Sequence, residues 1–151
     1  MVNPSDAASV SQRQRGPMAA MGVGLLLTLA VLVALAIDQA SVGSIATHVQ
    51  EHYAPHGTVP DPTVLYVYLY VTGGIGVVTW LLLIAAARTP RSWVAVLATI
   101  VFCCGLGGGL FNLTISEYGG PVLPALWSGL TLLPCVAGLV AVVLLWRAAR
   151  S

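Results

Sequence analysis

The chain has 151 residues, 58% of them hydrophobic and 7% charged, with a formal net charge of +1 at pH 7. A soluble domain carries about a quarter charged residues, so an ordinary water-soluble globule is excluded. The strong bases are arginines without a single lysine, and no cluster of them is dense enough to bind nucleic acid.

Residues 1–16 are polar and carry Pro, Ser, Asp, Gln and Arg. They read as a disordered cytoplasmic tail. Residues 17–151 read as a single four-helix transmembrane domain. Its apolar stretches are Met18–Ile37, Val64–Ala87, Trp93–Phe111 and Val122–Trp146, and no Asp, Glu, Arg or His falls within them. Each approaches or exceeds the ~20 residues that cross a hydrocarbon core. Backbone groups in lipid must pair within their own segment, so each stretch is expected to be a helix. That includes "LYVYLYV" (Leu65–Val71), whose alternation resembles a strand. The first stretch has a basic lead and an Ala34-Leu35-Ala36 like that of a signal peptide. Its length exceeds the ~7–15 residues of a signal-peptide core, which favours an uncleaved helix.

Four spans put alternate connections on opposite sides. Arg13, Arg15, Arg88, Arg91, Arg147 and Arg150 then share one side, which the positive-inside rule makes cytoplasmic, with both termini. Asp38, Glu51, Asp61, Glu117 and the three histidines face out. The partition implies a multi-pass protein of a bacterial plasma membrane. Trp93 and Trp146 suit an inner aromatic belt. Tyr66, Tyr68, Tyr70, Tyr118 and Trp127 suit an outer one. The inner connection "RTPRS" reads as a tight turn. Short connections on either side of the third span favour antiparallel neighbours in an up-down bundle.

The long outer loop, 38–63, contains "THVQEHYAPH", with His48, His52 and His56 at intervals of four. Ser44 can cap a short helix over Ile45–Ala54, which Pro55-His56-Gly57 would end. Ile45, Val49 and Tyr53 then form one stripe, with His48 and His52 on the next. Imidazoles four apart on a helix can share a metal ion. His48, His52 and Glu51 are therefore the candidate ligands for a divalent metal, with His56 or Asp61 as further donors. "HVQEH" also matches the H-x-x-E-H of one zinc-protease group. Five letters with two wildcards recur by chance, and a hydrolase needs a third ligand and a substrate cleft, so no catalytic residue is assigned. The other readings are a pH-responsive loop, since histidine titrates near neutrality, and a solvated loop without special chemistry.

The second outer loop, "NLTISEYGGPVLP", offers Gly119-Gly120-Pro121 as a turn, with Pro121 suited to the first turn of the fourth helix. Its Asn112-Leu113-Thr114 matches a glycosylation sequon that carries little weight this close to a membrane. Cys103, Cys104 and Cys135 lie at membrane depth and read as small packing residues. The glycines are more telling. Gly73 and Gly74 lie in the second span, and Gly105 and Gly109 form a G-x-x-x-G in the third, which permits close helix approach. The first reading is tight packing inside the bundle or at a homo- or hetero-oligomer seam. The second is an outward-facing pocket in the outer half of the bundle, opened by a kink at Pro134 near mid-bilayer, with Thr72, Asn112 and Glu117 near its mouth, suited to lipid or a small apolar ligand.

The stretches "YLYVTGGIGVVTWLLLIAAARTPRSW" and "LPCVAGLVAVVLLW" resemble uncharacterised four-helix integral membrane proteins of actinobacteria. Arginine in place of lysine is in keeping with them. The resemblance covers about the last ninety residues by hydrophobic pattern. It implies the location and the all-α bundle, and carries over no activity or site residue. The function expected is that of a non-enzymatic accessory or assembly component, or a lipid-interacting one, with the bilayer as partner and no resident cofactor. The alternative is an outward-facing metal- or pH-responsive binder built on His48 and His52.

Overall fold

A computed structural model describes residues 4–89 and 93–150, with side chains described from residue 15 onward. Its helices are α1 (Pro4–Ile37), α2 (Ser44–Tyr53), α3 (Thr63–Ala87), α4 (Trp93–Thr114), α5 (Ala125–Leu130) and α6 (Leu133–Arg150). Strands β1 (Ser116–Glu117) and β2 (Gly120–Pro121) form a small antiparallel hairpin between α4 and α5. Four helical stretches are long and apolar enough to cross a membrane: Arg15–Val42, Thr63–Ala87, Trp93–Thr114 and Ala125–Arg150. The shortest, of 22 residues, reaches about 33 Å at 1.5 Å per residue.

The helices stand in chain order around a ring, each antiparallel to the next. Along the α1–α3 seam, Gly24 faces Trp80, Thr28 faces Gly76 and Leu32 faces Gly73. Along α4–α6, Phe102 faces Gly138 and Gly105 faces Cys135, while Gly109 faces Leu132 in the turn just before α6. α1 also packs closely on α6, with Gly16 beside Leu144. The seam between α3 and α4 is the sparse one. This winding gathers Arg15, Arg88, Arg147 and Arg150 at one end of the ring. The three histidines, Asp38, Glu51, Asp61 and Glu117 gather at the other. Arg91 lies outside the described residues, as does Pro90–Ser92 of the expected tight turn. Before it, Thr89 N–H donates to the Ala86 carbonyl at 3.1 Å.

Two apolar cores hold the ring. At the histidine end, Leu35, Ile45, Val49, Tyr53, Tyr66, Leu69, Leu123 and Trp127 pack together. At the arginine end, Met21, Leu83, Ala87, Val94, Ala98 and Ala141 do so. Three alanines, Ala87, Ala98 and Ala141, make up half of the second core, which lets helix backbones come close.

The structure departs from the sequence reading at several points. The segment up to Gly16, expected to be a disordered tail, is helical from Pro4 onward. Once a helix is nucleated each added residue gains a hydrogen bond, and nothing between Asp6 and Arg15 breaks it. α1 ends in a widened π-turn, Asp38–Val42, closed by Gly43 at φ 65°. A residue in this left-handed region is usually glycine. Gly43, not Ser44, therefore occupies the cap position of α2. Pro121 belongs to β2 and not to a helix, and the fourth span starts after Pro124. The hairpin turns at Tyr118 and Gly119, whose φ values of 50° and 82° are the positive pair typical of a tight two-residue β-turn.

Candidate functional site

The histidine end is a cap, built by folding α2 onto the hairpin. Ile45, Val49 and Tyr53 are buried, as their one-face spacing requires. That docking aims the neighbouring stripe at the hairpin. His48 Nε2–H donates to the Pro121 carbonyl at 2.9 Å, and His52 Nε2–H donates to the Glu117 carbonyl at 2.8 Å. Tyr53 donates to the Glu117 carboxylate at 2.6 Å. Burial, then this hydrogen bond and the charge of Glu117, push the Tyr53 phenol up to about 12. His56 stacks on Tyr118 with ring centroids 4.4 Å apart, and its Nδ1–H donates to the His52 carbonyl at 3.2 Å.

This arrangement does not assemble the expected metal site. The His48 and His52 rings stack nearly parallel at 5.8 Å, with 6° between their planes. Carbonyl partners fix both Nε2 atoms as donors, so a neutral ring has only its Nδ1 lone pair to offer. Lone pairs lying in parallel stacked planes run side by side and do not converge on one ion at about 2.0–2.1 Å. Glu51 is exposed and has no hydrogen bond or ion pair among the described residues. No group of three or more His, Cys, Asp or Glu suited to a metal ion occurs among the described residues. Asp61 instead sits just before α3, accepting from the Thr63 N–H at 2.8 Å, and hydrogen bonds from the Thr63 side chain and then its backbone hold its carboxyl below the usual range.

Beneath the cap, three polar ties join the helices. Asp38, 5% exposed, accepts from Tyr66 Oη at 2.8 Å and from the Ser44 N–H at 3.0 Å. Trp127 Nε1–H donates to Ser44 Oγ at 3.0 Å, and Tyr68 Oη donates to Asn112 Oδ1 at 2.6 Å. Tyr66, Tyr68 and Trp127, expected to form an outer aromatic belt, thus turn their polar atoms toward protein. The π-turn carries the carboxyl of Asp38 inward, so the first span does contain a buried acid.

Between the two cores lies a cavity of about 460 Å³, within the roughly 300–1,000 Å³ of small-molecule sites. All four spans line it. Of the residues singled out in the sequence, Thr72, Gly73, Gly105, Gly109, Asn112 and Pro134 line it, whereas Gly74 and Glu117 do not. Glu117 is engaged in the cap above, and Gly74 has open space beside it. Gly109 packs against the Leu132 side chain in the break between α5 and α6, and Gly105 lies 4.0 Å from the Cys135 sulfur of α6. Pro134 has no N–H for the Leu130 carbonyl, and the fourth span breaks there into α5 and α6. Leu132 N–H closes the gap onto the Gly129 carbonyl at 3.0 Å. Cys104 and Cys135 also line the cavity.

The cavity opens to one side. Its lining residues that are also exposed on the protein surface are Tyr68, Thr72 and Ile75 on α3, and Ile100, Cys104, Gly105 and Gly108 on α4. The lining residues from α1 and α6 are buried or half-buried. The mouth is therefore the sparse α3–α4 seam, not the outward end that the sequence suggested. Among the described residues, no Asp, Glu, Arg or His lines the cavity. Thr28 and Trp80 were missed in the sequence: Trp80 Nε1–H donates to Thr28 Oγ1 at 3.1 Å, and Thr28 donates to the Gly24 carbonyl at 2.9 Å. A lone Trp in an apolar run gives no sign of its partner 52 residues away. No protein-family model, curated protein or solved structure matches the chain.

Proposed function

We propose that this protein is an integral membrane bundle, with its arginine end and both termini in the bacterial cytoplasm, and that it works without catalysis by taking a lipid chain into the α3–α4 cleft. The observation that carries this reading is the side-opening, uncharged cavity. An apolar cleft open along the flank of a membrane bundle meets acyl chains before it meets water. The arginine partition supports the orientation, and the helix lengths match a hydrocarbon core of about 30 Å. An enzymatic role has no support from the cavity lining, which offers hydroxyls and thiols but no acid or base to activate them.

Two measurements test the proposal. Reporter fusions at Arg15 and Ser151 are expected to read cytoplasmic, and a periplasmic C-terminus would overturn the orientation. Brominated acyl chains in reconstituted vesicles are expected to quench Trp80, which lines the cleft. Quenching that is the same in wild type and Trp80→Phe would mean that no chain enters.

A further inference from the structure

Among the described residues that line the cavity, one N–H or O–H donor has no partner; the Cys104 and Cys135 thiols are far weaker donors. Thr28 and Trp80 bond each other and the α1 backbone. Thr72, Thr79 and Thr131 each donate to a backbone carbonyl within their own helix or turn. Tyr68 donates to Asn112. Asn112 differs from the rest. The residue is only 3% exposed, its Oδ1 is taken by Tyr68 and its main-chain carbonyl by Ser128 Oγ at 3.1 Å. Its Nδ2 hydrogens have no acceptor among the described residues. No fully enclosed side-chain nitrogen or oxygen lacks a partner among those residues, so Nδ2 borders open space. The open space that Asn112 lines is the cavity.

Depth adds a second constraint. Asn112 sits within the last turn of α4 at the histidine end, where ester carbonyls of an outer-leaflet lipid would lie. From the level of Tyr68 the lining continues along α3 to Leu83. That is about 22 Å at 1.5 Å per residue, deeper than half of a ~30 Å hydrocarbon core. A buried amide donor without an acceptor is costly in a low-dielectric site, and an apolar chain alone would leave it so.

The geometry points to an ester-linked glycerolipid of the outer leaflet as the occupant, with one acyl chain in the cleft and its ester carbonyl accepting from Asn112 Nδ2. This rests on the proposal that a chain enters the cleft, and it adds what selects the chain. The phosphate headgroup stays outside, because the cavity has no cation to receive it.

Ether lipids provide the test, since they keep the chains and lack the carbonyl. Vesicles of brominated diacyl phosphatidylcholine quench Trp80. Unbrominated diacyl phosphatidylcholine is then added as competitor, and in parallel its dialkyl ether counterpart. The ester lipid is expected to relieve quenching at a mole fraction about two- to tenfold lower, the range for one neutral hydrogen bond. Asn112→Leu should remove that preference while quenching persists. Thr72→Val, which alters a lining residue whose donor is already engaged, should keep it. Equal competition by ester and ether lipid in the wild type overturns this inference alone. Absence of Trp80-dependent quenching overturns the underlying proposal instead. The wild-type comparison decides even if Asn112→Leu fails to fold.

Discussion

Gly24→Ala tests the α1–α3 seam most directly. A methyl built at Gly24 would sit 2.5 Å from Trp80 Cη2 and 2.7 Å from Cε2, well inside contact distance. The obstacle is a flat ring, not the end of a flexible chain. Its Nε1–H is held by Thr28 at 3.1 Å, so the indole can make room only by giving up that bond. Overpacking costs about 1–3 kcal/mol, and losing the hydrogen bond adds about 1 kcal/mol. Alanine returns about 1 kcal/mol over glycine in a helix. The net expected is a loss of about 1–3 kcal/mol. Gly22→Ala is the matched control, because nothing lies within 4 Å of its added methyl. It should gain up to about 1 kcal/mol. Reversible unfolding of the detergent-solubilised protein, followed by circular dichroism, measures both. If Gly24→Ala stabilises as much as Gly22→Ala, the indole does not lie across α1 and the seam has been misread.

Two further outcomes concern the cap. The raised Tyr53 value belongs to the folded state, so its contribution is complete below pH 10, where both states keep the proton. It is lost as pH rises from about 10 through about 12. At about 1.4 kcal/mol per pH unit of displacement the loss is of order 2 kcal/mol, and Tyr53→Phe should flatten stability across that window. An equal slope in both proteins would place the phenol in water. For the histidines, zinc titration calorimetry on the wild type and on His48→Ala/His52→Ala should show equal, weak binding, because the paired rings serve the hairpin carbonyls. Tight binding confined to the wild type would show that the cap rearranges to coordinate metal.

Some of this was legible in the sequence for plain physical reasons. Uncharged apolar runs of about twenty residues leave the backbone no option but helix in lipid. The Ile45, Val49, Tyr53 stripe lies in a polar stretch, so its burial follows from helical spacing. Pro134 had to interrupt the fourth span because it carries no N–H. The arginine partition followed from counting spans.

Other features depended on the tertiary structure. Within the spans every face is apolar, so periodicity cannot say which face packs. Gly24 looks no different from Gly22 until Trp80 is placed across it. Gly73 and Gly74 are adjacent in the chain, yet Leu32 covers only the first. The histidine spacing was read correctly as a helical stripe, but its chemistry was set by carbonyls 65 and 73 residues away. The mouth of the cavity was misplaced because it depends on which pair of helices stands apart, and no local pattern encodes that distance. Sequence alone determined the four long apolar helices and which ends carry charge, since those follow from each residue's own solvation, whereas the helix over Pro4–Gly16 and the strand at Pro121 did not. The partners of Asn112, Trp80, Asp38 and the histidines were decided only when separate helices met, because a hydrogen bond across a bundle leaves no periodic trace in either strand of sequence that makes it.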